Sequence, residues 1–248
     1  MPGSSPTRPA SSVGEDGSAV KHAPAQVLFW GVAAGLLALD LWSKAKVFAT
    51  LAADQVVSVL GGVFEFRRSL NDGAVFGSFT GQTGLFIAAS LLALTFVVYL
   101  FVHSGPRHRA LHVALGMILA GALGNLYDRA FMQADVVRVA TRSGHTNSLI
   151  GKIVSGPNDS EVRVGDWPDG GNLRRFAASE VEVRRQGVVR DFIKFVPKFP
   201  AGFPKFGGRD VWPWVFNVAD VSLVAGVILL LLQSWFDRPP RESPSRGL

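Results

Sequence analysis

The chain has 248 residues, of which 48% are hydrophobic, and a formal net charge of +6 at pH 7. It contains no cysteine, which excludes disulfide bonds and metal sites built on thiolates. The positive charge suits a protein that lies against anionic lipid, and without a fold for reading bases it does not indicate a nucleic-acid partner.

Four long apolar segments follow one another along the chain. Each carries at most one charged residue, and they cover residues 25–42, 84–102, 110–127 and 212–236. A helix needs about 20 apolar residues to cross a hydrocarbon core of about 30 Å. Helices at the edge of a soluble core keep a polar stripe, which these segments lack. We therefore predict an α-helical membrane protein with four transmembrane helices.

Both ends of the chain are rich in Ser, Pro and charged residues. We predict that residues 1–24 and 237–248 are disordered cytoplasmic tails. The first apolar segment begins late and has no small-x-small site directly after it, so we interpret it as a retained anchor rather than a cleaved signal. Basic residues in the tails and in loop 103–109 outnumber those in the first outer loop, 43–83, which favours cytoplasmic termini.

The long segment between the third and fourth helices has two compositions. Residues 135–187 contain β-branched stretches at 148–154, 161–164 and 180–184, separated by turn-forming clusters, which predict an extracytoplasmic β-rich insert. Residues 191–214 mix Phe, Trp and Pro with Lys, as is typical of the interface between membrane and water.

Polar residues gather at one end of the predicted helices. Ionisable groups inside a membrane are costly, so each is a candidate functional residue. Residues spaced i, i+3 and i+4 share one face of a helix, so the sequence predicts carboxylates, amides and a guanidinium at one membrane depth. These residues are Asp40 in the first helix, Asn125, Asp128 and Arg129 in the third, Asp191 before the fourth, and Asn217 and Asp220 in the fourth.

Structural roles are alternatives for several of these residues. Asp40 and Lys44 are spaced for an ion pair within one helix, and Asp128 with Arg129 could close a helix end. The two asparagines could cross-link helices through hydrogen bonds. Asp220 has no basic neighbour in sequence and is flanked by apolar residues, so it is the hardest to explain structurally.

Five short sequence blocks occur in a fixed order and are attached to these helices. They are residues 39–44 (LDLWSK), 71–76 (NDGAVF), 124–129 (GNLYDR), 188–193 (VVRDFI) and 216–220 (FNVAD). Together the blocks resemble the lipoprotein signal peptidase family, also called signal peptidase II. The resemblance extends from about residue 27 to residue 236.

The resemblance implies a four-helix membrane peptidase core of residues 25–134 and 188–236 in the bacterial inner membrane. A small extracytoplasmic β-structure would come largely from the first outer loop. It further implies a monomeric aspartic endopeptidase, without cofactor or metal, that removes the signal peptide from prolipoproteins just before their diacylglyceryl cysteine, at the extracytoplasmic leaflet. Its expected partners are these prolipoproteins and membrane lipids. The family's catalytic aspartates fall on Asp191 and Asp220, and its supporting polar residues on Asn71, Asn125, Asp128, Arg129, Asn217 and Asp40.

Two close carboxylates suit this chemistry. Their repulsion raises the pKa of one and keeps a proton shared between them. One carboxylate then takes a proton from water while the other protonates the carbonyl oxygen, and since the pair titrates as a unit neither role is assigned to one residue. Arg129 and the asparagine side chains would hold the substrate backbone or a developing negative charge.

Two features depart from the family pattern. Arg190 stands directly before Asp191, where it would either point toward lipid headgroups or, if it pointed inward, lower the pKa of Asp191. The family joins the third and fourth blocks by a short loop, whereas here the segment from 130 to 190 is long and holds the β-rich insert. For the insert we expect first an inert or locally stabilising role, with a lid or a partner site as alternatives.

Other classes of function remain alternatives. An inactive homologue would follow if Arg190 disabled the site. A proton-coupled carrier would use Asp40, Asp128 and Asp220 as a relay, but carriers place such charges near the midplane and contain internal repeats. The sequence lacks the Gly-x-Gly-Asp motif of presenilin-like proteases, the Gly-x-Ser-Gly box of rhomboids and the His-Glu-x-x-His helix of zinc proteases.

Overall fold

The computed structural model describes residues 18–73, 83–140, 146–154 and 160–236. Its helices are α1 (Ala23–Thr50), α2 (Thr83–Val102), α3 (Arg109–Phe131) and α4 (Val218–Phe236). Its strands are β1 (Val57–Val59), β2 (Phe64–Asn71), β3 (Gln133–Ala140), β4 (Thr146–Ile153), β5 (Glu161–Asp166), β6 (Gly171–Ala177), β7 (Val181–Gly187), β8 (Val189–Phe195) and β9 (Val215–Phe216).

All four apolar segments form helices. Among the described residues, α1, α3 and α4 are long and apolar enough to cross a membrane, and α2 contributes a shorter apolar stretch, Ile87–Val102. Large apolar side chains face outward, for example Leu92 and Leu231, which are 72% and 63% exposed. Such faces are typical of helices that contact lipid. α4 begins later than residue 212, because Val215 and Phe216 pair with β8 as strand β9.

The helix α3 lies at the centre and contacts α1, α2 and α4. Its buried residues are mostly small, which lets the helix backbones approach closely. A Cβ atom on Gly121 would collide with the carbonyl oxygen of Ala219 and with Leu223. The close approach brings the second half of α3 against the start of α4.

A four-stranded antiparallel sheet, ordered β1-β2-β8-β9, lies beside the helix ends. The first outer loop supplies β1 and β2 of this sheet. β8 pairs with β2 on one side and β9 on the other, so the segment leading into α4 supplies the other two strands.

The predicted insert contains a five-stranded antiparallel sheet, ordered β6-β5-β4-β3-β7. The predicted β-branched stretches correspond to β4, β5 and β7, whereas β3 and β6 were not predicted as separate strands. The first and last strands of the insert pair with each other, Gln133 opposite Gly187. The amide of Val188 then donates to the carbonyl of Met132 at 2.9 Å, so the insert leaves and rejoins the core at neighbouring points.

The start of the described chain is ordered. A 3-10 helix covers Ala19–Lys21 and α1 begins at Ala23, so the prediction of disorder is wrong for residues 18–24. The amide of Ala19 donates to Ser104 and the hydroxyl of Ser18 donates to Val102, which attaches this segment to the end of α2. Residues 1–17 and 237–248, and positions 74–76 of the second sequence block, lie outside the described residues.

The close approach of α3 and α4 can be tested with Gly121→Ala. Alanine favours helices over glycine by about 1 kcal/mol, but here its Cβ meets the backbone of α4. We expect a lower melting temperature in detergent, since such overpacking costs about 1–3 kcal/mol. Gly35→Ala in α1, which has open space around it, is the matched control and should melt at the same temperature or slightly higher. Equal effects of both substitutions would contradict this packing.

Candidate active site

Asp191 lies in the middle of β8 and is 2% exposed. Its carboxylate accepts hydrogen bonds from two side-chain amides. The Nδ2 of Asn71, at the end of β2, is 3.1 Å from Oδ2, and the Nδ2 of Asn217 is 2.6 Å from Oδ1. Two different elements of the fold thus hold this acid in place.

Asp220 lies in the first turn of α4, where Asn217 caps the helix. The amide of Asp220 donates to Asn217 Oδ1 at 3.0 Å, and the amide of Asn217 donates to Asp220 Oδ2 at 3.1 Å. This reciprocal pair satisfies two N–H groups at the helix start. Asn125 in α3 donates from Nδ2 to Asp220 Oδ1 at 2.8 Å.

Asn217 therefore joins the two acids. Its side chain donates to Asp191, and its backbone donates to Asp220. Both aspartates also line the same cavity, which has a volume of about 680 Å³. The structure thus brings together the two carboxylates on which the sequence-based hypothesis depends.

The electrostatic environment favours a proton on Asp191. Burial and, to a smaller extent, repulsion from Asp220 raise the pKa of Asp191 to about 8. The hydrogen bonds from Asn71 and Asn217 act in the opposite direction. At pH 7 the Asp191 carboxyl is therefore protonated. A neutral acid next to a second carboxylate is the arrangement that acid–base hydrolysis of an amide requires.

A fully buried ammonium group lies behind the two acids. Lys44 Nζ is 2.8 Å from Asp40 Oδ2 and 3.5 Å from Asp128 Oδ2, and none of these three side chains is exposed. The same ammonium donates to Asn125 Oδ1 at 3.1 Å. Because Lys44 and Asn217 both donate to this oxygen, the Asn125 amide is turned so that its NH₂ group faces Asp220.

Asp40 connects this charge cluster to α4. Its Oδ1 accepts the backbone amide of Ala219 at 2.8 Å, so it satisfies another donor of the helix start. Gly124 lets the two helices meet here, since a Cβ at that position would collide with the Asp40 carboxylate. Asp40 is a positioning residue that fixes the start of α4, and with it Asp220.

Arg190 is turned away from Asp191. Successive residues of a strand point to opposite faces, and the Arg190 guanidinium bonds to Asp128, with Nη2 2.7 Å from Oδ1. Its backbone amide also donates to Asp128 Oδ2 at 2.9 Å. Arg190 is 7% exposed, which excludes the alternative in which it points toward lipid headgroups. It points inward, but its charge is matched by Asp128 rather than Asp191.

The predicted site residues occupy one connected region. Asn71, Asn125 and Asn217 bond directly to the two acids, and Arg129 interacts electrostatically with both Asp220 and Asp191. The predicted ion pair between Asp40 and Lys44 is present. The sequence did not indicate that Lys44 would also contact Asp128 and Asn125. Within the described residues, no group of three or more His, Asp or Glu side chains is arranged to hold a metal ion.

The chain also resembles known proteins. Residues 32–236 match the family model described as signal peptidase (SPase) II. The chain belongs to the signal peptidase II family. It is 31% identical over 213 residues to the lipoprotein signal peptidase of Rhodopirellula baltica, covering 84% of this chain and 71% of the relative. It is 25% identical over 218 residues to the lipoprotein signal peptidase of Desulfitobacterium hafniense, covering 88% and 99% respectively.

The fold of the chain is also similar to that of a solved structure. A bacterial membrane enzyme structure obtained by the in meso method at 1.9 Å resolution superposes with a TM-score of 0.54 at 20% sequence identity. The match covers 88% of this chain and 96% of that one. At this identity the likeness concerns the fold alone.

The buried cluster of Lys44, Asp40 and Asp128 can be tested by removing first one charge and then two. Asp40→Asn keeps an oxygen for the Ala219 amide but leaves Lys44 buried with only the more distant Asp128. Breaking a buried pair typically costs about 3–5 kcal/mol, so we expect a clear drop in melting temperature. Asp40→Asn combined with Lys44→Gln should recover part of that loss. A double variant that melts below the single one would show that the two charges are not coupled.

Proposed function

We propose that this chain is an intramembrane aspartic endopeptidase that removes the signal peptide from prolipoproteins just before their diacylglyceryl-modified cysteine. Family membership supports the reaction class. The observation that carries the mechanism is Asn217, which bonds to both Asp191 and Asp220 and so joins a buried neutral acid to a second carboxylate.

The membrane arrangement that suits this function has four transmembrane helices and both termini in the cytoplasm. The enzyme would lie in the bacterial inner membrane, with its site at the extracytoplasmic leaflet. Both acids belong to elements at the helix ends where the two sheets gather, which supports a site at the membrane surface. A lipidated cysteine can reach such a site laterally from the bilayer. The enzyme would act as a monomer, as the resemblance to the family implies.

In the proposed reaction, the ionised Asp220 takes a proton from a water molecule while the protonated Asp191 donates to the carbonyl oxygen of the scissile bond. The water oxygen bonds to the carbonyl carbon and forms a tetrahedral species. Collapse of this species breaks the C–N bond: Asp220 gives its proton to the leaving amine, and the now ionised Asp191 takes back a proton from one of the two hydroxyl groups, which leaves the carboxylic acid product.

The remaining side chains hold this pair and the substrate. Asn71 and Asn217 fix the orientation of the Asp191 carboxyl, and Asn125 fixes that of Asp220. Arg129 supplies a positive charge close to both acids, where it can stabilise negative charge that develops on the substrate.

The alternative functions fit the structure less well. A carrier would need Asp40, Asp128 and Asp220 to exchange protons, but Asp40 and Asp128 are held in ion pairs by Lys44 and Arg190. An inactive homologue would require the Arg190 charge to disturb Asp191. That charge is instead matched by Asp128, on the other face of the strand.

Substitution of either acid tests the proposal directly. Purified protein is given a diacylglyceryl prolipoprotein, and the released signal peptide is measured. Because each acid has its own proton-transfer role, Asp191→Asn and Asp220→Asn should each lower kcat by roughly 10³-fold or more. Asp210→Asn is the matched control, since Asp210 pairs with Lys194 away from the two acids, and it should keep most of the rate. Activity that persists in both variants and is lost on chelation would sink the aspartic mechanism.

The pH dependence gives a second test. Asp191 must be protonated, and its pKa is about 8, so the rate should fall as the pH rises through about 8, by roughly tenfold per unit once the proton is lost. The measurement is a pH–rate profile in detergent, with return to pH 7 as the control for unfolding. A rate that stays constant to pH 10 would contradict the assignment of the acid.

A further inference from the structure

The insert forms part of the wall of the cavity that contains the two acids. Ser148, Leu149 and Ile150 of β4 line this cavity, together with Arg174 of β6 and with Asp166 and Trp167 at the end of β5. The expectation that the insert is first of all inert or locally stabilising does not account for this position. A substrate bound at Asp191 and Asp220 lies in a space that the insert partly encloses.

Trp167 holds the insert against the core. Its ring packs edge-to-face on Phe48 at the end of α1, with centroids 6.1 Å apart. Its carbonyl accepts a hydrogen bond from the Arg68 guanidinium, which also lies over the Phe48 ring at 5.2 Å. Its indole N–H donates to the carbonyl of Gln133 at 2.9 Å. The wall is therefore attached at a fixed place beside β2.

Arg174 is the available cation on this wall. It is exposed, it lines the cavity, and within the described ranges it forms no ion pair. The other charged groups of the wall are engaged: Asp166 accepts from the amide of Asn172 at 2.7 Å, and Arg68 bonds to Trp167. An unpaired guanidinium in a cavity is suited to a carboxylate of a bound ligand.

The direction of the substrate decides which part of it meets this wall. The signal peptide is apolar and approaches from the lipid, along the helices. The chain on the other side of the scissile bond must leave the membrane. Among the described residues that line the cavity, only Phe48 and Asp220 belong to helices, and the rest of the lining comes mainly from β2, from residues 212–216 and from the insert. Residues that follow the cleaved bond can therefore lie against β4 and β6.

We propose that the insert is the binding wall for the substrate segment that follows the lipidated cysteine, and that Arg174 favours acidic side chains there. The inference rests on the proposed function, since it names a further part of the substrate that the same site recognises.

The test uses two diacylglyceryl prolipoproteins that are identical through the cysteine and differ in the next four residues, which carry either two Glu or two Lys. The assay is run in neutral detergent, so that anionic lipid does not contribute. One exposed ion pair of about 1 kcal/mol corresponds to roughly fivefold, so the full-length protein should have a kcat/KM about fivefold higher for the acidic substrate. Added salt should reduce this preference.

Charge reversal identifies the residue. Arg174→Glu should invert the preference, mainly through KM. Arg175→Glu is the matched control, because the neighbouring residue makes the same change in charge on the opposite face of β6 and is not part of the cavity lining. An unaltered preference in Arg174→Glu, or an equal change in both variants, would overturn the proposal. An equal loss for both substrates in Arg174→Glu would also count against it.

Failure of the proposed function has a different signature. In that case the unsubstituted protein cleaves neither substrate. The preference is then measured by binding: the acidic and the basic substrate, each as a fluorescently labelled lipopeptide, are titrated with the unsubstituted protein, Arg174→Glu and Arg175→Glu. Equal binding of both lipopeptides to the unsubstituted protein would overturn the inference about Arg174 as well.

Discussion

The buried ammonium of Lys44 is the interaction on which the rest of the site depends. A charge without any exposed surface is stable only when neighbouring groups compensate it, and here Asp40, Asp128 and the oxygen of Asn125 do so. Each of these contacts has a second consequence. Asp40 holds the start of α4, Asp128 holds Arg190, and Asn125 is turned toward Asp220. The groups that compensate one cation thus also contact Asp220 and the strand that carries Asp191.

The helices, and the polar residues that meet at their ends, could be predicted from the sequence. Apolar stretches as long as a membrane is thick leave little choice of structure, and polar residues inside them are rare enough to be noticed. Asn217 and Asp220 also carry the spacing of a helix cap. Such features are local, so a single sequence contains them.

The contacts between distant segments could not be predicted in the same way. Arg190 stands next to Asp191 in sequence, but strand geometry sends their side chains to opposite faces, and its partner Asp128 lies at the end of α3. The pairing of β8 between β2 and β9 likewise depends on tertiary packing. For the insert, the β-branched stretches gave the kind of structure but not its position beside the acids, which depends on Trp167 and Phe48.

The adjacent ends of the insert have a consequence for how this enzyme can diversify. Since Gln133 and Gly187 are paired neighbours, everything between them is a closed excursion, and its length does not alter the path from α3 into β8. One continuous stretch of the sequence therefore forms one side of the cavity. Changes within that stretch can alter which substrates fit while the two acids keep their positions.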